Sequence, residues 1–282
     1  MNVPLSNNAV LSNECYTFIA KVVYDHSRIQ LGADKQPLVA GRLNKRLREL
    51  NLDSYEAYCN LLRSPVGASE MSPLVDLIST NHTHFFREVQ HMDFLREHAI
   101  PEFVKQLPPR EPLRIWSAAS SSGEEPYTIA IVLSEYFLKH APHPWQIEGT
   151  DISTRILEHA KNGIYSRDRV KLPDPQLLTR YFQNGTGDFS GYYRVKQILR
   201  DAIKFHHLNL LHSPYPVAQN QHIIFCRNVM IYFDQKTQQE LVNKLTQQLA
   251  PGGYLIVGHS ESLLAVKHRL KSVRPTIYRK DP

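Results

Sequence analysis

Nowhere in its 282 residues does the chain hold an uninterrupted apolar run near the roughly 20 residues that cross a bilayer, so direct membrane insertion is not expected. Cysteine is scarce. Cys15, Cys59 and Cys226 are odd in number and far apart, which argues against a disulfide framework and fits reduced thiols in a cytoplasm. The opening Met1-Asn2-Val3-Pro4 has neither the basic nor the apolar segment of a secretory signal. The fourteen histidines include no His-Glu-x-x-His, and no paired Cys-x-x-Cys accompanies them, so no metal site is expected. No Ser-His-Asp or Cys-His arrangement is recognisable, and no internal repeat appears. Acidic residues are outnumbered, 27 against 33, and the net charge of +6 points to an acidic partner. Charge alone does not separate nucleic acid from an acidic protein surface.

What is present is an ordinary globular composition, 42% hydrophobic and 21% charged, in a chain long enough for two domains. The first, residues 1–80, reads as all helical. Cys15, Phe18, Ile19, Val22 and Val23 mark one helix face between Ser12 and Gly32. A second helix spans about 38–50, with Val39, Leu43, Leu47 and Leu50 in one stripe. Arg42, Lys45, Arg46 and Arg48 spread over the rest of its surface, and no acidic residue stands between Arg42 and Arg46 to neutralise them. Ser54 is placed to cap a third helix through Tyr55, Tyr58, Leu61 and Leu62. A fourth, after Ser72-Pro73, carries Leu74, Leu77 and Ile78.

Residues 81–112 read as a linker, with a helix over 91–100 and a Pro-rich hinge at 107–112. From 113 to 282 strands and helices alternate: strand 113–116, helix 125–138, strand 145–148, helix 153–162 ended by Gly163, strand 222–226, helix 235–249 and strand 254–258, with a last strand at 276–279. Such alternation predicts an α/β domain with a mainly parallel sheet covered on both faces. It is broken between about 173 and 208. There Gly185-Thr186-Gly187, Gly191 and Tyr192-Tyr193-Arg194-Val195-Lys196 read as short β pieces joined by Gly turns.

The chemistry starts at Trp116-Ser117-Ala118-Ala119-Ser120-Ser121-Ser122-Gly123-Glu124-Glu125-Pro126-Tyr127, a strand, a small-residue loop and a helix start. Small side chains let a ligand approach the backbone, and the helix start offers unpaired N–H groups. Glu124 and Glu125 would repel a phosphate but suit a cation or a ribose. The ligand expected here carries an amine and sugar hydroxyls. Ligands of such sheets bind beyond the carboxyl ends of the strands. Asp151 follows the second strand, where its side chain is placed to accept from both ribose hydroxyls; Ser153 is available to cap the next helix in its place.

The loop resembles the nucleotide-binding loop of CheR-type chemotaxis methyltransferases. Thr80-Asn81-His82-Thr83-His84-Phe85-Phe86-Arg87, Gly149-Thr150-Asp151-Ile152-Ser153 and Phe225-Cys226-Arg227-Asn228-Val229-Met230-Ile231-Tyr232-Phe233 match that family in the same order, as does His259-Ser260-Glu261-Ser262. The resemblance implies a Rossmann-like class I methyltransferase sheet with a small inserted antiparallel β-subdomain and a last strand running antiparallel, preceded by a helical receptor-recognition domain. It implies S-adenosylmethionine as cofactor, with S-adenosylhomocysteine as product. By the same resemblance Glu125 holds the amino group of the methionyl part, Asn209 and Leu210 meet the adenine, Asn228 and Val229 line the transfer site, and Asn81, Thr83 and Arg87 close over the cofactor. The implied acceptors are glutamates in the cytoplasmic methylation helices of membrane chemoreceptors, read by Arg42, Lys45 and Arg46. Gly185 and Gly187, with Arg194 on the following strand, resemble the loop of relatives that dock a receptor's C-terminal pentapeptide.

Glutamate, with a pKa of about 4.3, is already an anionic nucleophile near neutral pH, and a sulfonium is its own leaving group. Neither base nor metal is called for. Arg87 and Tyr232 are the candidates for orienting the incoming carboxylate. A nucleic-acid methyltransferase of the same fold is the second reading. Asn228-Val229-Met230-Ile231-Tyr232, where amino-methylating DNA enzymes carry an Asn-Pro-Pro-Tyr-like motif, counts against it. A non-catalytic module that keeps the fold is the third, opposed by intact Arg87, Glu125, Asp151 and Asn228.

Overall fold

The computed structural model describes residues 10–282, which fall into two compact units: residues 10–80 with Tyr232–Thr237, and Asn81–Ile231 with Gln238–Pro282. The first holds α1 (Asn13–Ser27), α2 (Gln36–Glu49), α3 (Tyr55–Arg63) and α4 (Met71–Ile78). Their apolar stripes meet in one core, where Ile19, Val23, Val39, Leu43, Leu47 and Leu74 are fully buried. Ser12 and Ser54 cap α1 and α3 by accepting from the N–H groups of Cys15 and Ala57, each at 3.2 Å.

The arginines of α2 depart from expectation. Arg46 forks onto Glu70, with Nε and Nη2 donating at 2.8 and 2.7 Å, and reaches Glu49 at 3.0 Å. Glu70 is 5% exposed and also accepts from the Tyr58 hydroxyl. Arg42 lays Nη1 on the carbonyls of Leu77, Ile78 and Ser79, the open end of α4. The premise that nothing neutralises the pair does not hold: Glu49 lies only three residues beyond Arg46, and the other partners, 24 and 35 to 37 residues away, escape a scan of neighbouring positions. Lys45, its side chain 80% exposed, keeps its charge at the surface. Glu70→Gln is expected to cost about 2–3 kcal/mol in urea unfolding, less than a fully buried pair because Arg46 is 22% exposed. An unchanged midpoint would mark the pair as dispensable.

In the second unit, α5 (Val89–Phe94) passes through a π turn (Leu95–Ala99) into α6 (Ile100–Gln106). A helix over 91–100, stopping one residue short of Pro101, was expected. That proline instead sits in the first turn of α6, where the wider preceding turn accommodates its missing N–H. Met92, Leu95, Ile100 and Phe103 share one core with Leu113 and Ile115. Residues 81–112 are thus part of the α/β unit rather than a linker.

The chain continues as β1 (Leu113–Ala118), α7 (Glu124–Phe137), β2 (Trp145–Asp151), α8 (Thr154–Asn162), β3 (Ile164–Ser166), α9 (Pro175–Tyr181), β4 (Phe182–Asn184), β5 (Tyr192–Val195), α10 (Gln197–Arg200) and β6 (Ile203–His207). β7 (Gln221–Cys226), α11 (Gln235–Gln248), β8 (Leu249–Val257), β9 (Lys271–Arg274) and β10 (Ile277–Arg279) complete it. Seven strands form one sheet in the order β6-β2-β1-β7-β8-β10-β9, with β10 antiparallel to both neighbours. This is the mainly parallel Rossmann-like sheet, closed by an antiparallel strand near the C-terminus, that the resemblance implied. Its order reverses between β1 and β7, where Ala118 lies opposite Cys226. Strand β9 was not foreseen, because Lys271-Ser272-Val273-Arg274 is exposed throughout and shows no burial alternation.

A second, three-stranded antiparallel sheet has the order β3-β5-β4. It draws on Ile164–Ser166, ahead of the expected start at 173, while Ile203–His207, expected inside the insert, pairs with β2 in the large sheet. Short apolar runs look alike in either setting. Among the described residues no helix is long and apolar enough to cross a membrane.

Candidate cofactor and transfer site

The loop after β1 is bent by three left-handed residues, Ala119, Ser121 and Gly123. Gly123 is required: a Cβ there would meet the Ala160 side chain at 2.9 Å and the Tyr165 hydroxyl at 3.0 Å. The bend brings the Ser121 N–H to Asp151 Oδ2 at 2.9 Å, at the end of the adjacent β2. Asp151 Oδ1 accepts from the Ser153 N–H, and Ser153 Oγ caps α8 through Ile156 N–H. The helix cap therefore falls to Ser153, and the aspartate stands beside the bent loop at the carboxyl end of its strand.

Glu125 opens α7 beneath this loop. Its Oε1 accepts from the Ser117 hydroxyl at 2.6 Å and its Oε2 from Arg227 Nη1 at 3.0 Å. Burial pushes its carboxyl pKa up, against the pull of Arg227 and Ser117. The Arg227 side chain is 3% exposed, and its Nε and Nη2 meet Glu88 Oε2 at 3.2 and 3.0 Å. Burial disfavours the Glu88 carboxylate, but Arg227 and the Asn228 amide outweigh it and hold its pKa below the ordinary range.

Asn228, left-handed at φ 58°, gives Nδ2–H to Glu88 Oε1 at 3.2 Å. Glu261 fixes that turn from the loop after β8. Its carboxylate accepts from the N–H groups of Asn228, Val229, Met230 and Gly258 at 2.7–2.8 Å.

Besides the bonds of Glu88 to Arg227 and Asn228, segment 81–88 is held to the loop after β1 and to α7. Ser121 Oγ donates to the Asn81 carbonyl at 3.2 Å, and the Phe86 N–H donates to Thr128 Oγ1 on α7. Thr83 is half-buried within that segment, and Arg87 turns one guanidinium nitrogen to the His82 carbonyl. Phe85 packs edge-on to Tyr165 and Phe182. Beyond β6, Asn209 Oδ1 accepts from the Leu211 N–H, and Leu210 is buried next to it. The structure thus brings Asn81, Glu125, Asp151, Asn228 and Val229 to the strand ends. Tyr232 belongs to the helical unit, where its carbonyl accepts from the Gln30 N–H.

Two family models divide the chain, one described as the CheR methyltransferase all-alpha domain, matching residues 15–79, and one as its SAM-binding domain, matching 81–279. The chain belongs to the CheR methyltransferase family. It is similar to the chemotaxis protein methyltransferase of Escherichia coli K12, 39% identical over 97% of this chain and 93% of that one. The chemotaxis protein methyltransferase of Borreliella burgdorferi is 38% identical, covering 93% of each chain. Chemotaxis protein methyltransferase 2 of Pseudomonas aeruginosa is 39% identical over 95% of this chain and 93% of its own. As a CheR methyltransferase the chain is an S-adenosylmethionine-dependent enzyme. A carboxylate at the end of β2 and another at the start of α7 match that cofactor, whose ribose hydroxyls and ammonium group are donors.

Ser117, Glu88, Arg227 and Glu261 were not singled out by sequence, although all but Glu88 lie inside the matched stretches. An arginine directly after the apolar run Ile223-Ile224-Phe225-Cys226 was the available signal, since a charge at a buried strand end needs acidic partners. By ligand type, Glu88, His91 and His259 form a group that could hold a metal, their ligand atoms within 4.8 Å of one another. Arg227 and Asn228 already engage that glutamate, and burial drives the His91 pKa down to about 3. At the insert, a Cβ on Gly185 would meet the Phe189 carbonyl oxygen at 2.0 Å, so this glycine is needed for the hairpin itself. Gly187, at φ 57°, has open space around it, and Arg194 is exposed.

Glu261→Gln would set an amide NH2 against backbone donors. A loss of about 2–4 kcal/mol in unfolding free energy is expected, with faster hydrogen exchange at Asn228 and Val229. Wild-type stability and exchange would show that the turn holds without the carboxylate.

Proposed function

We propose that this enzyme methylates side-chain carboxylates of specific glutamates in the cytoplasmic helices of membrane chemoreceptors, itself working in the cytoplasm. The observation that carries the reading is Glu125 with Asp151 at the carboxyl ends of adjacent strands, next to the reversal in strand order. The chemotaxis names of its relatives supply the receptor. In this reading Glu125 holds the ammonium group, Asp151 the ribose, Asn209 and Leu210 the adenine, and Asn81, Thr83 and Val229 the remaining walls.

Bound S-adenosylmethionine supplies a methyl group on a sulfonium, which leaves without help from acid, base or metal. The protein's part is then alignment and exclusion of water. Arg87 orients the acceptor carboxylate, and Asn228 closes the transfer end. Lys45, on the exposed face of α2, takes over the receptor-reading role once shared with Arg42 and Arg46. Edge strand β4 and exposed Arg194 are the proposed dock for a receptor's C-terminal peptide. Arg194→Glu tests that dock more cleanly than a change at Gly185.

The deciding experiment is transfer of tritiated methyl from S-adenosylmethionine to host membranes. Label should enter receptor bands, leave on mild base as an ester does, and be undiminished by EDTA. Base-stable label, or loss of activity on chelation, overturns the reading. Asp151→Ala is expected to weaken the cofactor by about 1.5–3 kcal/mol, the scale of hydrogen bonds to a charged group. Calorimetry showing unchanged affinity would remove Asp151 from the site. Arg87→Ala should retain the fold and lose most transfer, and a fully active variant would exclude it from orienting the acceptor.

A further inference from the structure

One side chain joins three separate parts of the site. Arg227, on the loop after β7, gives Nη1 to Glu125 Oε2 at the start of α7 at 3.0 Å. Its Nε and Nη2 go to Glu88 Oε2, and Nη2 also donates to the main-chain carbonyl of Arg87 at 2.5 Å. We propose that Arg227 is the positioning residue of the methyl-transfer site, keeping Glu125 ionised and aimed at the cofactor's ammonium group while fixing the backbone from which Arg87 projects. The proposal rests on the roles given above to Glu125 and Arg87.

Only a guanidinium fits this duty. Its planar fork of five donors serves several acceptors at once, whereas a lysine ammonium is a point charge on a flexible stem. Charge balance makes the same demand. Glu88 and Glu125 with Arg227 sum to one negative charge, which suits a cationic ligand. Without the arginine the two carboxylates oppose each other as like charges, and one is driven to take up a proton. Glu88 meanwhile accepts from Asn228, so the fork also steadies the transfer end of the site.

The test uses the full chain with Arg227→Ala and Arg227→Lys. In calorimetry with S-adenosylmethionine alone, Arg227→Ala is expected to bind about ten- to a hundredfold more weakly. Guanidinium ion, below concentrations that unfold the protein, should restore part of that binding and part of kcat, and urea at equal concentration should not. Arg227→Lys should fall between the wild type and the alanine variant. A folded Arg227→Ala with unchanged affinity and kcat/KM overturns the proposal, as does a loss that guanidinium leaves untouched. Should Arg227→Ala not fold, Arg227→Lys decides: wild-type affinity and turnover in that variant overturn the proposal. Binding is read without any receptor, so a failure to methylate receptor glutamates would sink the substrate reading and leave this one standing.

Discussion

A guanidinium removed from water is tolerated only where carboxylates and carbonyls replace its hydration, and Arg227 has both. The loop after β7, the start of α7 and the segment ahead of α5 converge on it. Around that point the backbone is bent at Phe86, Glu88, Ala119, Ser121 and Asn228, all left-handed and none a glycine. Each such residue costs of the order of 1–3 kcal/mol and persists only where its surroundings over-determine it. Here the surroundings are hydrogen bonds of stated length: Ser121 to Asp151, Asn228 to Glu261 and to Glu88. The parallel sheet sets the distances that make these bonds possible, by holding Ala118 level with both Thr150 and Cys226.

The fold was legible wherever local chemistry and burial agree. Ser12, Ser54, Ser153 and Gly163 mark helix ends that the structure places at those residues, because a cap acts on backbone groups within a few positions. The buried strands β1, β7 and β8 announce themselves as apolar runs. Edge strand β9 does not, since four exposed side chains carry no period. The π turn before Pro101 also left no trace, for nothing in Leu95–Ala99 distinguishes it from an ordinary helical turn. Strand β6 was visible as a segment but not assignable, because its membership in the large sheet depends on pairing with β2 rather than on its own residues.

Candidate site residues were legible to the degree that the strand ends could be found. Asp151, Asn228 and Val229 follow from that rule together with the family motifs. The network behind them does not, because Arg227 finds Glu88 at a separation of 139 residues and Glu125 at 102. The same limit misled the reading of α2. Arg42 and Arg46 look unneutralised when only the residues between them are read, yet Glu49 one turn on already meets Arg46, and their guanidinium groups close the end of α4 and pair with Glu70. Sequence shows which charges lack local partners. It does not show which partners they find after folding; Lys45, 80% exposed and 3.8 Å from Glu49, is a surface charge that keeps the original expectation open.

The two arginines of the proposed mechanism answer two different electrostatic demands. In the proposed reading the site binds a cationic cofactor through Glu125 and Asp151 and is therefore anionic, and an anionic site repels the glutamate proposed as acceptor. Arg227 cannot resolve that conflict at the acceptor, because its donors face Glu88, Glu125 and the Arg87 carbonyl. It lowers the surplus of negative charge from within. In that mechanism Arg87 takes up the remainder, with a side chain that donates to the His82 carbonyl at 2.9 Å and lies outside the buried network. Separate groups also separate the tasks in time. In the proposed mechanism the buried cation stays fixed while the cofactor is exchanged, and the outer one meets the carboxylate and releases a neutral ester. Transfer removes the sulfonium charge as well as the acceptor charge, so both attractions weaken at the product stage. Merging the roles in one buried arginine would bind the acceptor carboxylate tightly and blunt it as a nucleophile.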